Sequence, residues 1–241
     1  MSNIRNKSAI VTGATKGIGL SITRGLLAEG ARVAICARDR QELERREAEL
    51  RSRFGESNVF GRVCDVSKWE SVKDFFSEVK HSFGGLDILV NNAGVGFFGN
   101  AEEMTVEQWQ ATMGTNLSGV FFCSREAIPL MKEGGGGYII NIGSLAGKNP
   151  FAGGAAYCAS KAGLISFSEA LMQEVRYDHI RVSCVMPGSV NTEFGRSGEQ
   201  DPETTWKLLP EDVAGAVINL LETNRRALAS RVEVRPSEPK K

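Results

Sequence analysis

Two histidines, His81 and His179, are all the sequence holds, far apart and at no metal-ligand spacing. The five cysteines, at 36, 64, 123, 158 and 184, include no CxxC pair, so no metal site is expected from either set. Cys36, Cys64 and Cys184 fall in apolar strand-like runs, where buried thiols are common. Charge of one sign is missing too: 29 Lys+Arg balance 29 Asp+Glu, for a formal net charge of zero. No basic excess is present to neutralise the phosphates of a nucleic acid, although single basic residues can still hold one small phosphorylated ligand. No run approaches the roughly 18 to 20 apolar residues of a membrane span. The opening "MSNIRNKSAIVTG" has no apolar stretch of signal-peptide length before the first strand. The expectation is a soluble cytoplasmic protein with no nucleic-acid or membrane partner.

What is present is ordinary globular material, with 241 residues, 41% of them hydrophobic and 24% charged. Short β-branched runs alternate with longer amphipathic stretches. The runs are "KSAIVT" (7–12), "RVAICA" (32–37), "NVFGRVCDV" (58–66), "LDILVNNAG" (86–94), "GYIINIGS" (137–144), "IRVSCVMPG" (180–188) and "ASRVEVR" (229–235). Between them "RQELERREAELRSRF" and "WESVKDFFSEVKHSF" place apolar residues near helical spacing, with charge on the other face. Strands alternating with helices predict parallel βαβ units joined right-handed. The fold class is therefore α/β: a single domain over 1–241, a Rossmann-type doubly wound parallel sheet of about seven strands with helices on both faces. "GGGG" (134–137) reads as a turn entering the fifth strand, and 236–241, closing "RPSEPKK", as a frayed tail.

In such a fold ligands bind beyond the carboxyl ends of the strands. Those ends carry "TGATKGIG", Arg38, Asp65, "NNAG", Ser144 and "PG". In "TGATKGIG" the glycines at 13, 17 and 19 permit a tight turn, and the helix that follows offers unpaired N–H groups to an anion. The spacing is GxxxGxG, neither the longer GxGxxG fingerprint nor a Walker loop. An acidic residue near the end of the second strand would bind the ribose hydroxyls of NAD. Here Ala37 is followed by Arg38, with Lys16 in the glycine loop, while Asp39 reads as the start of the next helix. Two cations and no carboxylate suit a 2′-phosphate, so NADP(H) is preferred over NAD(H), the alternative being that Arg38 is a solvated surface charge.

In "GGAAYCASKAG" (153–163) Tyr157 stands four residues before Lys161 among small side chains, so on a helix the two share a face. Alone the pair could be incidental. Together with "TGATKGIG" (12–19), "NNAG" (91–94), Asn116, Ser144, "YCASK" (157–161) and "PGSVNT" (187–192), it resembles the short-chain dehydrogenase/reductase family, most like the 3-oxoacyl-[acyl-carrier-protein] reductase branch. The resemblance implies a catalytic tetrad of Asn116, Ser144, Tyr157 and Lys161. It implies cofactor contacts from Gly13, Thr15, Lys16, Gly17, Ile18 and Gly19 of the loop, and from Arg38. It further implies Asp65 and Val66 at the adenine, Asn92 at the adenosine ribose, and Gly94, Pro187, Gly188, Tyr157 and Lys161 along the dinucleotide. Val190 and Thr192 are implied at the nicotinamide carboxamide, and a water held by Asn116 is implied as a proton relay to Lys161.

The chemistry has its own logic. Reducing a ketone needs a hydride on one face and a proton donor at the oxygen. A phenol with a pKa of about 10 exchanges protons poorly at neutral pH, and a cation beside it favours the phenolate. Lys161 is expected to supply that charge to Tyr157, and Ser144 a hydrogen bond to the substrate oxygen. An amide at Asn116 can distort the long helical pattern in which it lies.

Departures from the family temper the resemblance. Gly143 stands where many relatives carry a small polar residue, and the segment 193–209, a substrate lid in the family, is short and polar. "VEVRPSEPKK" replaces a glycine-rich ending that often supports one tetramer interface. A homo-oligomer, dimer or tetramer, remains the expectation, through 105–131 and 152–177. The substrate is expected to be a small-molecule or carrier-bound carbonyl compound, a 3-oxoacyl thioester or another ketone. Phe97, Phe98, Phe151 and Trp206 either line its pocket or serve as ordinary packing and surface. The rival reading is a catalytically silent NADP(H)-sensing regulator.

Overall fold

The computed structural model describes residues 3–194 and 205–239. Its strands are β1 (Ser8–Thr12), β2 (Arg32–Ala37), β3 (Val59–Val63), β4 (Ile88–Asn91), β5 (Gly137–Ile142), β6 (Ile180–Pro187) and β7 (Arg231–Val234). They form one all-parallel sheet in the order β3-β2-β1-β4-β5-β6-β7. Every strand run expected from the sequence contains a strand; β2 spans the whole of its run, and the other strands fall short of theirs by one to five residues. Cys64, expected within a strand, lies just past the end of β3, because Val63 is the last residue to pair with β2.

The helices are α1 (Gly17–Ala28), α2 (Arg40–Phe54), α3 (Trp69–Phe83), α4 (Val106–Met113), α5 (Gly119–Glu133), α6 (Ala155–Val175) and α7 (Pro210–Glu222). The bounds of α2 and α3 coincide with the two amphipathic stretches. Asp39 caps α2, its carboxylate accepting from the Glu42 N–H at 3.0 Å. That bond satisfies a donor that the helix itself cannot. Gly84, in the left-handed region at φ 80°, ends α3.

Strands buried on both faces still alternate. Ala9, Val11, Val33, Ile35, Ile88 and Val90 pack with α1, α2 and α7. Ile10, Ala34, Leu89 and Ile139 pack with α3, α5 and α6 on the other side. Two cores thus sandwich the sheet, as helical crossovers on both faces require. The chain winds from β1 outward to β3, then returns to lay β4 beside β1. Strand order reverses there, which opens a crevice at the carboxyl ends of the strands.

The expected tail begins packed, at Pro236, and 237–239 are exposed. The Gly188 N–H donates to the Val234 carbonyl at 2.8 Å. Pro236 packs so closely that a Cβ on Gly188 would lie 3.1 Å from its Cδ. Residues 240–241 of the expected tail, and 195–204 of the expected lid, lie outside the described residues. The lid's two ends are joined by pairing: Val190 bridges Leu208, the Asn191 N–H donates to the Leu208 carbonyl, and the Leu208 N–H to that of Ser189. Among the described residues no helix is long and apolar enough to cross a membrane, and no group of three or more His, Cys, Asp or Glu could hold a metal ion.

Candidate active site

A cleft of about 1280 Å³ runs along the carboxyl ends of the strands. The glycine loop forms one end. Gly13 (φ 64°) and Gly17 (φ 55°) take backbone conformations that side chains rarely adopt. A Cβ on Gly13 would also stand 2.8 Å from the Ala93 Cα. α1 then starts with no side-chain cap and no acidic residue in its first turn, so its leading N–H groups and positive dipole end are open to an anion. Thr15, Lys16 and Ile18 line the cleft with Gly13 and Gly17.

Gly19 is placed differently. It is buried beneath the loop, where a Cβ would lie 2.4 Å from both the Asn92 Nδ2 and the Gly13 oxygen. Its role is to let α1 approach β4. Asn92, which also lines the cleft, uses its amide to donate to the carbonyls of Thr12 and Gly13, each at 3.0 Å. The Thr12 hydroxyl in turn accepts from the Asn92 and Ala93 N–H groups at 3.0 Å. Loop and β4 are one braced unit.

At the end of β2, Arg38 is exposed, lines the cleft and has no acidic partner among the described residues. Asp39 is committed to capping α2. Lys16 instead reaches across the cleft to Glu193 at 3.1 Å, an exposed pair of small energetic consequence. Asp65 and Val66 line the next stretch, with Asp65 held by the Ser67 N–H at 3.1 Å and hydroxyl at 2.7 Å. Gly94, Pro187, Gly188, Val190 and Thr192 complete that wall. A braced glycine loop and an uncapped helix start fit the phosphates of a dinucleotide, and Arg38 stands unpaired beside them.

At the other end Ser144, Tyr157 and Lys161 come together. Ser144 follows β5, its hydroxyl accepting from the Ala146 N–H at 3.1 Å. Tyr157 and Lys161 share a face of α6, with the ammonium 5.8 Å from the phenol ring centroid. The expected lowering of the Tyr157 pKa is not what the surroundings produce. Burial pushes the phenol above its ordinary value, with a hydrogen bond from Ser144 opposing. Lys161 is the more perturbed group: burial brings it down to about 8, the neighbouring Cys184 thiol opposing weakly. Its Nζ donates to the Ile142 carbonyl at 2.8 Å. The desolvation that makes the lysine titrate near neutrality also keeps the phenol protonated.

Asn116 stands one layer behind this trio, fully buried. It lies in a π-helical turn, Gly114–Ser118, between α4 and α5. This is the helix distortion expected for it, and such turns often mark functional sites. Its amide donates to the Val95 carbonyl at 2.9 Å and the Ser160 hydroxyl at 3.0 Å, and accepts from the Val95 N–H at 2.9 Å. Those bonds fasten the loop after β4 to α6, and no direct bond joins the side chain to Lys161.

Gly143 has a packing reason. A Cβ there would stand 2.8 Å from the Cys184 Sγ and 3.2 Å from the Met186 Cγ, so side chains of β6 fill the space a polar residue would need. Of the apolar candidates, Phe98, Phe151 and Trp206 line the cleft, whereas Phe97 is exposed and does not. Phe194, which sequence reasoning missed, also lines it, and so do Arg235, Pro236 and Pro239. No periodicity marks Phe194, and only the folding of the segment after β6 brings it there.

With this geometry in hand, the comparisons with known proteins are unambiguous about kinship. The family model described as short chain dehydrogenase matches residues 7–203. A Streptomyces coelicolor protein whose name includes the words ketoacyl reductase is 37% identical over 214 residues, 88% of this chain and 81% of that protein. An alcohol dehydrogenase from the archaeon Thermococcus sibiricus, complexed with 5-hydroxy-NADP, superposes with a TM-score of 0.89 at 31% identity, covering 98% of this chain and 100% of that one. A metagenomic short-chain oxidoreductase in complex with NADP gives a TM-score of 0.84 at 37% identity, with the same coverage.

Proposed function

The chain belongs to the short-chain dehydrogenase family, and from that premise we propose an NADP(H)-dependent oxidoreductase that interconverts a carbonyl group and its alcohol, with Tyr157 as general acid and base. The observation that carries this reading is the convergence of Ser144, Tyr157 and Lys161 at one end of a cleft whose other end is a glycine loop and an uncapped helix start.

A bound nicotinamide dinucleotide supplies or takes the hydride. Gly13, Gly17 and the start of α1 would hold its phosphates, and Arg38 would hold a 2′-phosphate, which favours NADP(H). Asp65 and Val66 would border the adenine, and Val190 and Thr192 the nicotinamide. Ser144 orients the substrate oxygen by a hydrogen bond. Tyr157, kept protonated by burial, delivers its proton to that oxygen in the reductive direction and accepts one in the reverse. Lys161, titrating at about 8, supplies positive charge beside the phenol below that pH. Asn116 is a positioning residue that holds Val95 and α6 in register.

The substrate is a ketone or a 3-oxoacyl thioester, the second class resting on the ketoacyl reductase relative. A homo-oligomer formed through α4, α5 and α6 belongs to the same reading, supported by the exposed Val106, Trp109 and Phe121. So does a cytoplasmic location, which five free buried cysteines suit. The test is the loss of NADPH absorbance against a panel of acetoacetyl thioesters, aromatic and cyclic ketones, diketones and aldehydes. Turnover with NADPH exceeding that with NADH is expected. Cofactor binding with no turnover of any carbonyl would favour the silent-sensor reading instead.

A further inference from the structure

Beyond Tyr157 the cleft is walled by aromatic rings from three separate segments. Phe98 lies on the loop after β4, Phe151 on the loop entering α6, and Phe194 on the segment leaving β6. The Phe98 and Tyr157 ring centroids are 5.7 Å apart at 64°. Tyr157 and Phe194 are 5.7 Å apart at 50°, and Phe98 and Phe151 6.1 Å apart at 31°. Glycines seat the rings. A Cβ on Gly96 would stand 3.0 Å from the Phe98 Cζ and 3.1 Å from two Phe194 ring atoms, and one on Gly154 2.6 Å from the Phe151 ring. Yet Phe98, Phe151 and Phe194 remain 47%, 50% and 43% exposed. Clustered, partly exposed rings beside a proton donor mark a surface that an apolar ligand group would cover.

Among the cations that line the cleft, Arg235 pairs with Glu233 and Lys16 with Glu193, so neither needs an anionic ligand group to balance it.

We propose that the substrate is an uncharged aryl ketone or aryl aldehyde, its oxygen at Tyr157 and Ser144 and its ring between Phe98 and Phe194. This rests on the oxidoreductase reading above. The overall reaction is aryl carbonyl plus NADPH and a proton, giving the benzylic alcohol and NADP⁺. Edge-to-face and tilted contacts of the kind these rings already make favour an aromatic group over a saturated ring of equal size.

The experiment compares kcat/KM, with saturating NADPH, for acetophenone, cyclohexyl methyl ketone and the N-acetylcysteamine thioester of acetoacetate. Calorimetric titration of the two ketones into NADP⁺-saturated protein accompanies it. Acetophenone should exceed both others by about tenfold, and its advantage over the saturated ketone should fall toward unity in Phe98→Leu and Phe194→Leu. Equal or better use of the saturated ketone or the thioester would overturn the proposal, as would an advantage unmoved in both variants. If no carbonyl is reduced with NADPH or NADH, the reductase reading fails, and the titration decides the ligand class by itself. Preferential acetophenone binding would sustain the class, and equal or absent binding would end it.

Discussion

The Lys161 ammonium lies 5.8 Å from the centroid of the Tyr157 ring, but its hydrogen bond goes to the carbonyl of Ile142, at 2.8 Å. Lys161 is buried and Tyr157 half-buried beside it, and desolvation drives them in opposite senses, the phenol up and the ammonium down to about 8. Both shifts favour the uncharged forms. The site holds a buried amine at a cost in stability.

That cost is measurable. The unfolded chain keeps this lysine protonated up to its ordinary value near 10.5, while the folded protein releases the proton at about 8. Between those values the unfolded state binds more protons, so the group's destabilising contribution shrinks as pH rises through the window and is fully present below about 8. Lys161→Met removes the charge while keeping most of the volume. Urea unfolding should find the variant more stable at pH 7, by at most about 3 kcal/mol, with the difference narrowing toward pH 10. A variant less stable at pH 7 would show that the amine is better solvated than its burial implies.

Tyr157→Phe keeps the ring packing with Phe98 and Phe194 and removes only the hydroxyl. Turnover should fall by about 10²- to 10⁴-fold, the usual worth of a general acid. NADPH binding, followed by fluorescence, should be retained. Activity near the original level would remove the tyrosine from the proton-transfer step.

Arg38 is the cleft-lining cation at the end of β2 without an acidic partner among the described residues. Arg38→Asp should raise the KM for NADPH by about tenfold to a hundredfold, the worth of a charge-assisted contact, and spare or improve NADH. Equal effects on the two cofactors would mean that this arginine does not read the 2′-phosphate.

Gly19 tests the brace between α1 and β4. A methyl group there would press on the Asn92 amide and the Gly13 carbonyl, each 2.4 Å away. Gly19→Ala should cost about 1 to 3 kcal/mol of stability by chemical denaturation, as overpacking does. Cofactor affinity should fall with it, since Asn92 holds the phosphate loop. Gly215, whose Cβ would meet nothing within 4 Å, supplies the control: Gly215→Ala should not destabilise.

Much of this protein could be read from local pattern. The β-branched runs placed all seven strands, and amphipathic spacing placed α2 and α3 to the residue. The glycine spacing marked the loop, and the four-residue step marked the shared face of Tyr157 and Lys161. These features are legible because strand alternation, helical periodicity and positive-φ glycines act over a few residues.

What the sequence by itself determined is thus the α/β class, the strand and helix order, and the identity of the polar groups gathered at one edge of the sheet. Only the tertiary structure decided how those groups behave. Titration depends on how much water the surrounding fold excludes, so Tyr157 goes up and Lys161 comes down, whatever their spacing. Asn116 and Asn92 are legible as site residues in sequence, but only the fold shows that their amides also fasten loops. Pro236 reads as part of a loose end until it packs on Gly188. Phe194 joins Phe98 and Phe151 at Tyr157 only because three distant segments meet there, and the meeting of remote segments is the one thing that no local pattern encodes.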